Sequence, residues 1–167
     1  MHVSTPARAA IVIAVLAGVV VGYRWWISPQ RHVQRLLPDV ASALSHEEAE
    51  SDLRAIAAVA SLQSNLAGDI SVDVDGSAAA LRSRADVLAM AARLRTSRSM
   101  MRVQFFDPDI RFSSDSSGTT RVTVQITRRD AGGDEAADAH VVSIILVKAD
   151  GRWQIASAHV LARDAAL

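Results

Sequence analysis

A chain of 167 residues, half of them apolar, has room for one domain of ordinary size and a short appendage. Its 18 basic and 18 acidic residues cancel, but unevenly: Arg8, Arg24, Arg31 and Arg35 meet no acid in the first 35 residues, which leaves 14 basic against 18 acidic residues beyond them, a net charge of −4. A mildly acidic body lacks the clustered positive surface that phosphate binding needs and so argues against nucleic acid, while the absence of cysteine excludes disulfides, thiolate metal sites and thiol nucleophiles.

After a short tail (1–8), Ala9 to Tyr23 is an uninterrupted apolar run with eight Val, Ile or Leu residues, each favouring bilayer insertion by roughly 0.3 to 0.6 kcal/mol. Extended through Trp25, Trp26 and Ile27, a helix over 9–27 reaches about 28 Å, close to the ~30 Å hydrocarbon core. Arg24 can snorkel to the head groups, and Tyr23, Trp25 and Trp26 form an aromatic belt at the membrane exit. A cleaved signal peptide is the competing reading. Gly22-Tyr23-Arg24-Trp25-Trp26 is bulky where a peptidase needs small residues, which favours an uncleaved anchor. One Arg precedes the segment and three follow soon after, a charge count that puts the C-terminal domain inside; the habit of short-tailed bacterial signal anchors points the other way, to an exported domain.

The soluble part spans 28–167. Val33, Leu36, Leu37, Val40, Ala41 and Leu44 follow the spacing of an amphipathic helix from Pro29, with Pro38 expected to kink or split it. Ser45-His46-Glu47-Glu48 reads as a cap and acidic first turn, starting a second helix that runs toward Leu66 and is stopped by Ala67-Gly68. The alternation from Asp69 to Asp75 before Gly76 predicts a strand and turn. A third helix is expected from about Ser83 to the stretch Thr96 to Ser99.

The remainder reads as β: Met101 to Phe106, Asp109 to Ser113, Thr120 to Thr127, Ala139 to Val147 and Trp153 to Leu161, joined by loops at Ser113 to Gly118 and Asp130 to Asp138 and by a tight turn at Lys148 to Gly151. Helices followed by antiparallel strands make an α+β fold, with the helices on one face of the sheet. Val141 to Val147 is apolar on both faces, which predicts that both are covered near the centre, one by helices and the other by a second subunit.

This order of elements, with Leu66-Ala67-Gly68-Asp69 entering the first strand and Asp150-Gly151-Arg152-Trp153-Gln154-Ile155 opening the last, resembles the nuclear transport factor 2-like, or SnoaL-like, superfamily over roughly residues 30 to 163. The resemblance implies a cone: a bent antiparallel sheet wrapped on about three helices, with a mouth that holds a ligand, an active site or nothing. An anchor followed by such a cone is also similar in layout to Mce-associated membrane proteins and to the inner-membrane assembly component of type IV secretion systems.

Enzymes of that superfamily place an Asp or an Asp-His pair in the cone, with Tyr or Asp donors for an oxyanion. Here the one tyrosine is Tyr23, in the anchor, which counts against an isomerase. His159 shares a strand face with Trp153, Ile155 and Ser157 by simple alternation, which makes it the pocket candidate; a rim histidine with a satisfied hydrogen bond is the plainer reading. His140 reads as exposed, and Asp107 and Asp109 around Pro108 read as a bulge or a strand turn rather than a catalytic pair. Asp69, Asp73 and Asp75 read as a solvated face rather than a calcium site, the five His have no metal-ligand spacing, and Arg93, Arg95, Arg98 and Arg102 read as a solvated helix end.

No catalytic, cofactor or metal residues are therefore assigned. The expected function is a non-enzymatic scaffold or interaction domain supporting an envelope complex. It would be tethered to bacterial inner-membrane lipid through 9–27, exported, and dimeric through its sheet, with an envelope protein as partner and no nucleic acid. The alternative is a small-molecule binding or isomerase-like cone.

Overall fold

A computed structural model describes residues 29–47, 50–74, 80–95, 100–129 and 132–161. Among these, no helix is long and apolar enough to cross a membrane. The expected anchor at 9–27, with Tyr23, Trp25 and Trp26, lies outside the described residues, as do the Asp75-Gly76 turn and Arg98.

Three helices, α1 (Pro29–Leu44), α2 (Asp52–Asn65) and α3 (Arg84–Arg95), pack on one face of a five-stranded sheet. Its strands are β1 (Leu66–Val74), β2 (Met100–Phe112), β3 (Ser117–Arg129), β4 (Glu135–Ala149) and β5 (Arg152–Val160), in the order β1-β5-β4-β3-β2. β1 lies parallel to β5; every other pairing is antiparallel. This is the α+β cone expected from the order of elements.

Helix α1 buries Val33, Leu36, Leu37 and Val40 on one stripe. It continues unbroken through Pro38; the proline is exposed, on the solvent side, where a helix tolerates a lost backbone hydrogen bond. Helix α2 starts later than the sequence predicts. The Ser45 Oγ–H donates to the Ala41 carbonyl (2.8 Å) and its oxygen accepts from the Val103 N–H (2.9 Å), while the His46 backbone exchanges hydrogen bonds with Met101 at 2.8 and 3.0 Å. These bonds hold the segment against β2, so the helix begins after Ser51. It ends at Asn65, and Ala67-Gly68 already belongs to β1. Helix α3 has the predicted start: Ser83 Oγ accepts from the Asp86 N–H (3.1 Å) and donates to its carboxylate (2.7 Å).

The β4–β5 hairpin turns on Asp150 and Gly151, both at positive φ (51° and 77°), between the paired Ala149 and Arg152. That is the two-residue turn that Asp-Gly favours.

Two bulges govern which side chains face the helices. In β2, Phe106 pairs with Thr123 and Asp109 with Arg121, so Asp107 and Pro108 together oppose Val122, with Asp107 at φ 51°. In β5, Ile145 pairs with Ser157 but its neighbour Leu146 pairs with Ile155, which leaves Ala156 as an extra residue. An extra residue reverses the alternation of faces beyond it. The core therefore takes Val103 and Phe105 before the first bulge and Ile110 and Phe112 after it; in β5 it takes Trp153 and Ile155 before, Ala158 and Val160 after.

β4 keeps a strict period: Val142, Ile144 and Leu146 are buried, whereas Val141 and Ile145 on the opposite face are 40% and 46% exposed. The outer face of this apolar strand is thus open in the single chain.

Candidate functional site

The core is not filled. Between the sheet and α3 lies a cavity of about 320 Å³, at the lower end of the ~300 to 1,000 Å³ typical of ligand pockets. Val142 and Ile144 form its floor, Ala158 and Val160 one wall, and Met90 and Leu94 of α3, each 40% exposed, its rim. Among the described lining residues every side chain is apolar except one, His140. Trp153 and Phe112 do not line it; they pack on each other at the opposite end of the sheet, with ring centroids 5.2 Å apart. Phe105 reaches the cavity, and Phe106 points away and is exposed.

His140 pairs with Val124 and shares the inward face of β4 with Val142 and Ile144, yet it is exposed because it stands where the strand leaves the core. Among the described residues no hydrogen bond engages its imidazole. Two residues toward the start of β4 on the same face, the Asp138 carboxylate accepts from Arg128 Nη2 at 3.0 Å. The mouth thus passes from apolar wall to imidazole to ion pair over a few residues.

His159, the pocket candidate of the sequence, is exposed and absent from the lining. The Ala156 bulge is the cause: it turns Ala158 and Val160 inward and His159 outward, opposite Ser143 and Asp73. Simple alternation had put His159 beside Trp153. Alternation applied to the unbulged β4 would instead have found His140, two residues before Val142, but the flanking acidic loop made it read as solvent-facing.

Two polar recesses lie elsewhere among the described residues. One, of about 260 Å³, is lined by Ser45, His46, Glu47, Glu50, Arg54 and Arg102 among others. Beside it, Arg95 departs from the predicted solvated helix end. Its guanidinium is 3% exposed, donates to the carbonyls of Ala43 (2.5 Å) and Ser45 (2.7 Å), and pairs with Glu50. Glu50 is thereby engaged in tying α3 to the end of α1. His46 is 4% exposed, and among the described residues neither ring nitrogen has a hydrogen-bond partner. The other recess, about 290 Å³, lies on the outer sheet face between Asp109, Arg111, Arg121 and Ser143. The Arg111 guanidinium is pushed up from its ordinary pKa by its hydrogen bond to Asp109 and then by that carboxylate's charge; both side chains are open to water.

Asp73 faces Arg82 at 3.7 Å and Asp69 is exposed. Among the described residues no three His, Asp or Glu side chains converge as a metal site.

The SnoaL-like domain family matches residues 51–159, about two thirds of the chain, from the start of α2 almost to the end of β5. The chain belongs to the SnoaL-like family. Solved structures repeat the architecture. A protein of unknown function from Mycobacterium tuberculosis is 18% identical with a TM-score of 0.63 over 84% of this chain and 74% of its own. ActVI-ORFA from Streptomyces coelicolor is 20% identical, TM-score 0.61, over 79% and 95%. A type 2 hexachlorocyclohexane dehydrochlorinase, LinA, is 13% identical, TM-score 0.64, over 79% and 83%. At these identities the likeness concerns the SnoaL-like fold alone. No curated protein matches the sequence.

Proposed function

We propose that this SnoaL-like domain binds a compact apolar small molecule in its cone. One observation carries the reading: a cavity of about 320 Å³ whose described lining is apolar but for His140. Burying apolar surface is the dominant favourable term in such binding, and a few polar groups fix orientation. Binding fits these residues better than acid–base chemistry, because His140 has no carboxylate beside it among the described lining residues to orient its ring. The dehydrochlorinase among the structural neighbours bears, in its name, a compact and largely apolar substrate, which is consistent with this use of the fold.

The test is a calorimetric titration of 1-naphthamide into the full chain in lipid nanodiscs, with empty nanodiscs as the blank. Binding should saturate in the wild type and be lost in Ala158→Phe, whose ring would enter the cavity. Unsaturable heats in the wild type, equal to the blank, overturn the proposal.

A tether belongs to the same reading: residues 9–27 hold the domain to the inner membrane, with the cone exported. The apolar run and the aromatic belt of Tyr23, Trp25 and Trp26 support it. A reporter active only outside the cytoplasm, fused after Leu167, should be active; an inactive fusion whose cytoplasmic counterpart works places the domain inside.

A second reading, a scaffold that self-associates through its sheet and meets an envelope partner, has one observation in its favour. Val141 and Ile145 expose apolar surface on the outer face, with Phe106 nearby on β2. A dimer in nanodisc cross-linking that Ile145→Lys abolishes supports it, and a monomer under the same conditions removes it.

A further inference from the structure

We infer that the ligand of the cone is an amphiphile, an apolar body carrying a single acidic head, and that His140 reads the head at the mouth. This rests on the reading of the cone as a small-molecule site and adds to it the ligand's chemical class and orientation.

The described wall offers no hydrogen-bonding group at depth. Val142, Ile144, Ile155 and Leu62 are apolar and buried, so a polar group carried inward would lose its water with nothing in return. A ligand with polar groups at both ends is therefore disfavoured, and a ligand with one polar end must leave that end at the mouth.

What stands at the mouth is an imidazole with no hydrogen bond among the described residues. Among the described lining residues it is the one polar side chain. Its neighbours on the same face do not compete for the head. The Asp138 carboxylate is already taken by Arg128 at 3.0 Å, and both are about half-exposed. An imidazole N–H donates equally well to a neutral or an anionic oxygen in geometric terms, but the bond to an anion is roughly twice as strong. No carboxylate among the described lining residues opposes such an anion, and Asp138 on the same sheet face is neutralised by Arg128. The chemistry thus selects an acid over its neutral isostere.

The test compares 1-naphthoate with 1-naphthamide, which share a body and differ in the charge of the head, in calorimetric titrations of the full chain in nanodiscs. Because both probes see the same lipid in every variant, the ratio of their affinities is the readout. Wild type should prefer naphthoate by about tenfold, the difference between a charge-assisted and a neutral hydrogen bond. His140→Leu should erase that preference while naphthamide still binds, and His140→Gln, which keeps an N–H donor, should retain part of it. Equal affinity of the two probes in wild type, or a preference that survives His140→Leu, overturns the inference and leaves the cone reading intact. Failure of both probes to bind wild type overturns the two together.

Discussion

Phe112 and Trp153 meet ring to ring at the end of the sheet away from His140, with centroids 5.2 Å apart and planes tilted by 57°. The contact is possible because Gly118 lies opposite Phe112 in β3: a Cβ there would come within 3.0 Å of Phe112 Cδ1 and of the Arg111 carbonyl oxygen. Glycine near the start of β3 is thus the condition for laying an aromatic ring across it.

Truncating this plug should be costly. Trp153 is buried, and Trp153→Ala should lower stability by about 3 to 5 kcal/mol, from lost burial and the void left behind. Denaturant midpoints of wild type and variant measure it. His159→Ala, on the outer face, should leave the midpoint within about 0.5 kcal/mol of wild type.

Most of this fold is legible in the sequence, and the misreadings have identifiable causes. The three helices, the Asp150-Gly151 turn and most of the β region follow from periodicity and turn chemistry, which are local, but the segments read as separate strands at Met101 to Phe106 and Asp109 to Ser113 are one bulged strand, β2. The β2 bulge announces itself through Pro108, which cannot donate to a ladder. The β5 bulge at Ala156 carries no Gly or Pro, so nothing in Gln154-Ile155-Ala156-Ser157 shows that the faces exchange. His159 turns outward for that reason alone, whereas His140, on the unbulged β4, is exposed as its place beside the acidic loop predicts. Ser45-His46 fails as a helix start because its bonds go to Ala41, Met101 and Val103, and the last two lie more than fifty residues away, where a local pattern has no reach.

Arg95 is the second stability test. Its side chain satisfies carbonyls at the end of α1 and pairs with a Glu50 carboxylate that is itself only 14% exposed. Arg95→Ala strands all three groups and should cost about 3 to 5 kcal/mol, as breaking a buried pair does. Adding Glu50→Ala should recover part of the loss, since the stranded charge is gone. In contrast, Arg129→Ala, which breaks a pair with Glu135 that is half-exposed on both sides, should cost no more than about 1 kcal/mol. Urea unfolding of the four proteins ranks them.

Thr120 points the other way. It is 1% exposed on the inward face beside Ile144, and among the described residues its Oγ1 has no hydrogen-bond partner. Thr120→Val keeps the shape, removes the stranded hydroxyl, and should raise stability by about 1 kcal/mol. A rise in the thermal midpoint is the expected sign.

The central claim, that the inward faces of β3, β4 and β5 enclose a small-molecule site, is tested most directly by methyl NMR on the full chain in nanodiscs, with isoleucine methyls labelled and 1-naphthoate titrated in. Ile144 and Ile145 are neighbours on one strand and face opposite ways, the first onto the cavity and the second onto the outer surface. The methyls of Ile144, Ile126 and Ile155 should shift together and saturate, while those of Ile145 and the exposed Ile56 stay in place. Saturable shifts at Ile145 with none at Ile144 would put the ligand on the outer face and contradict the account.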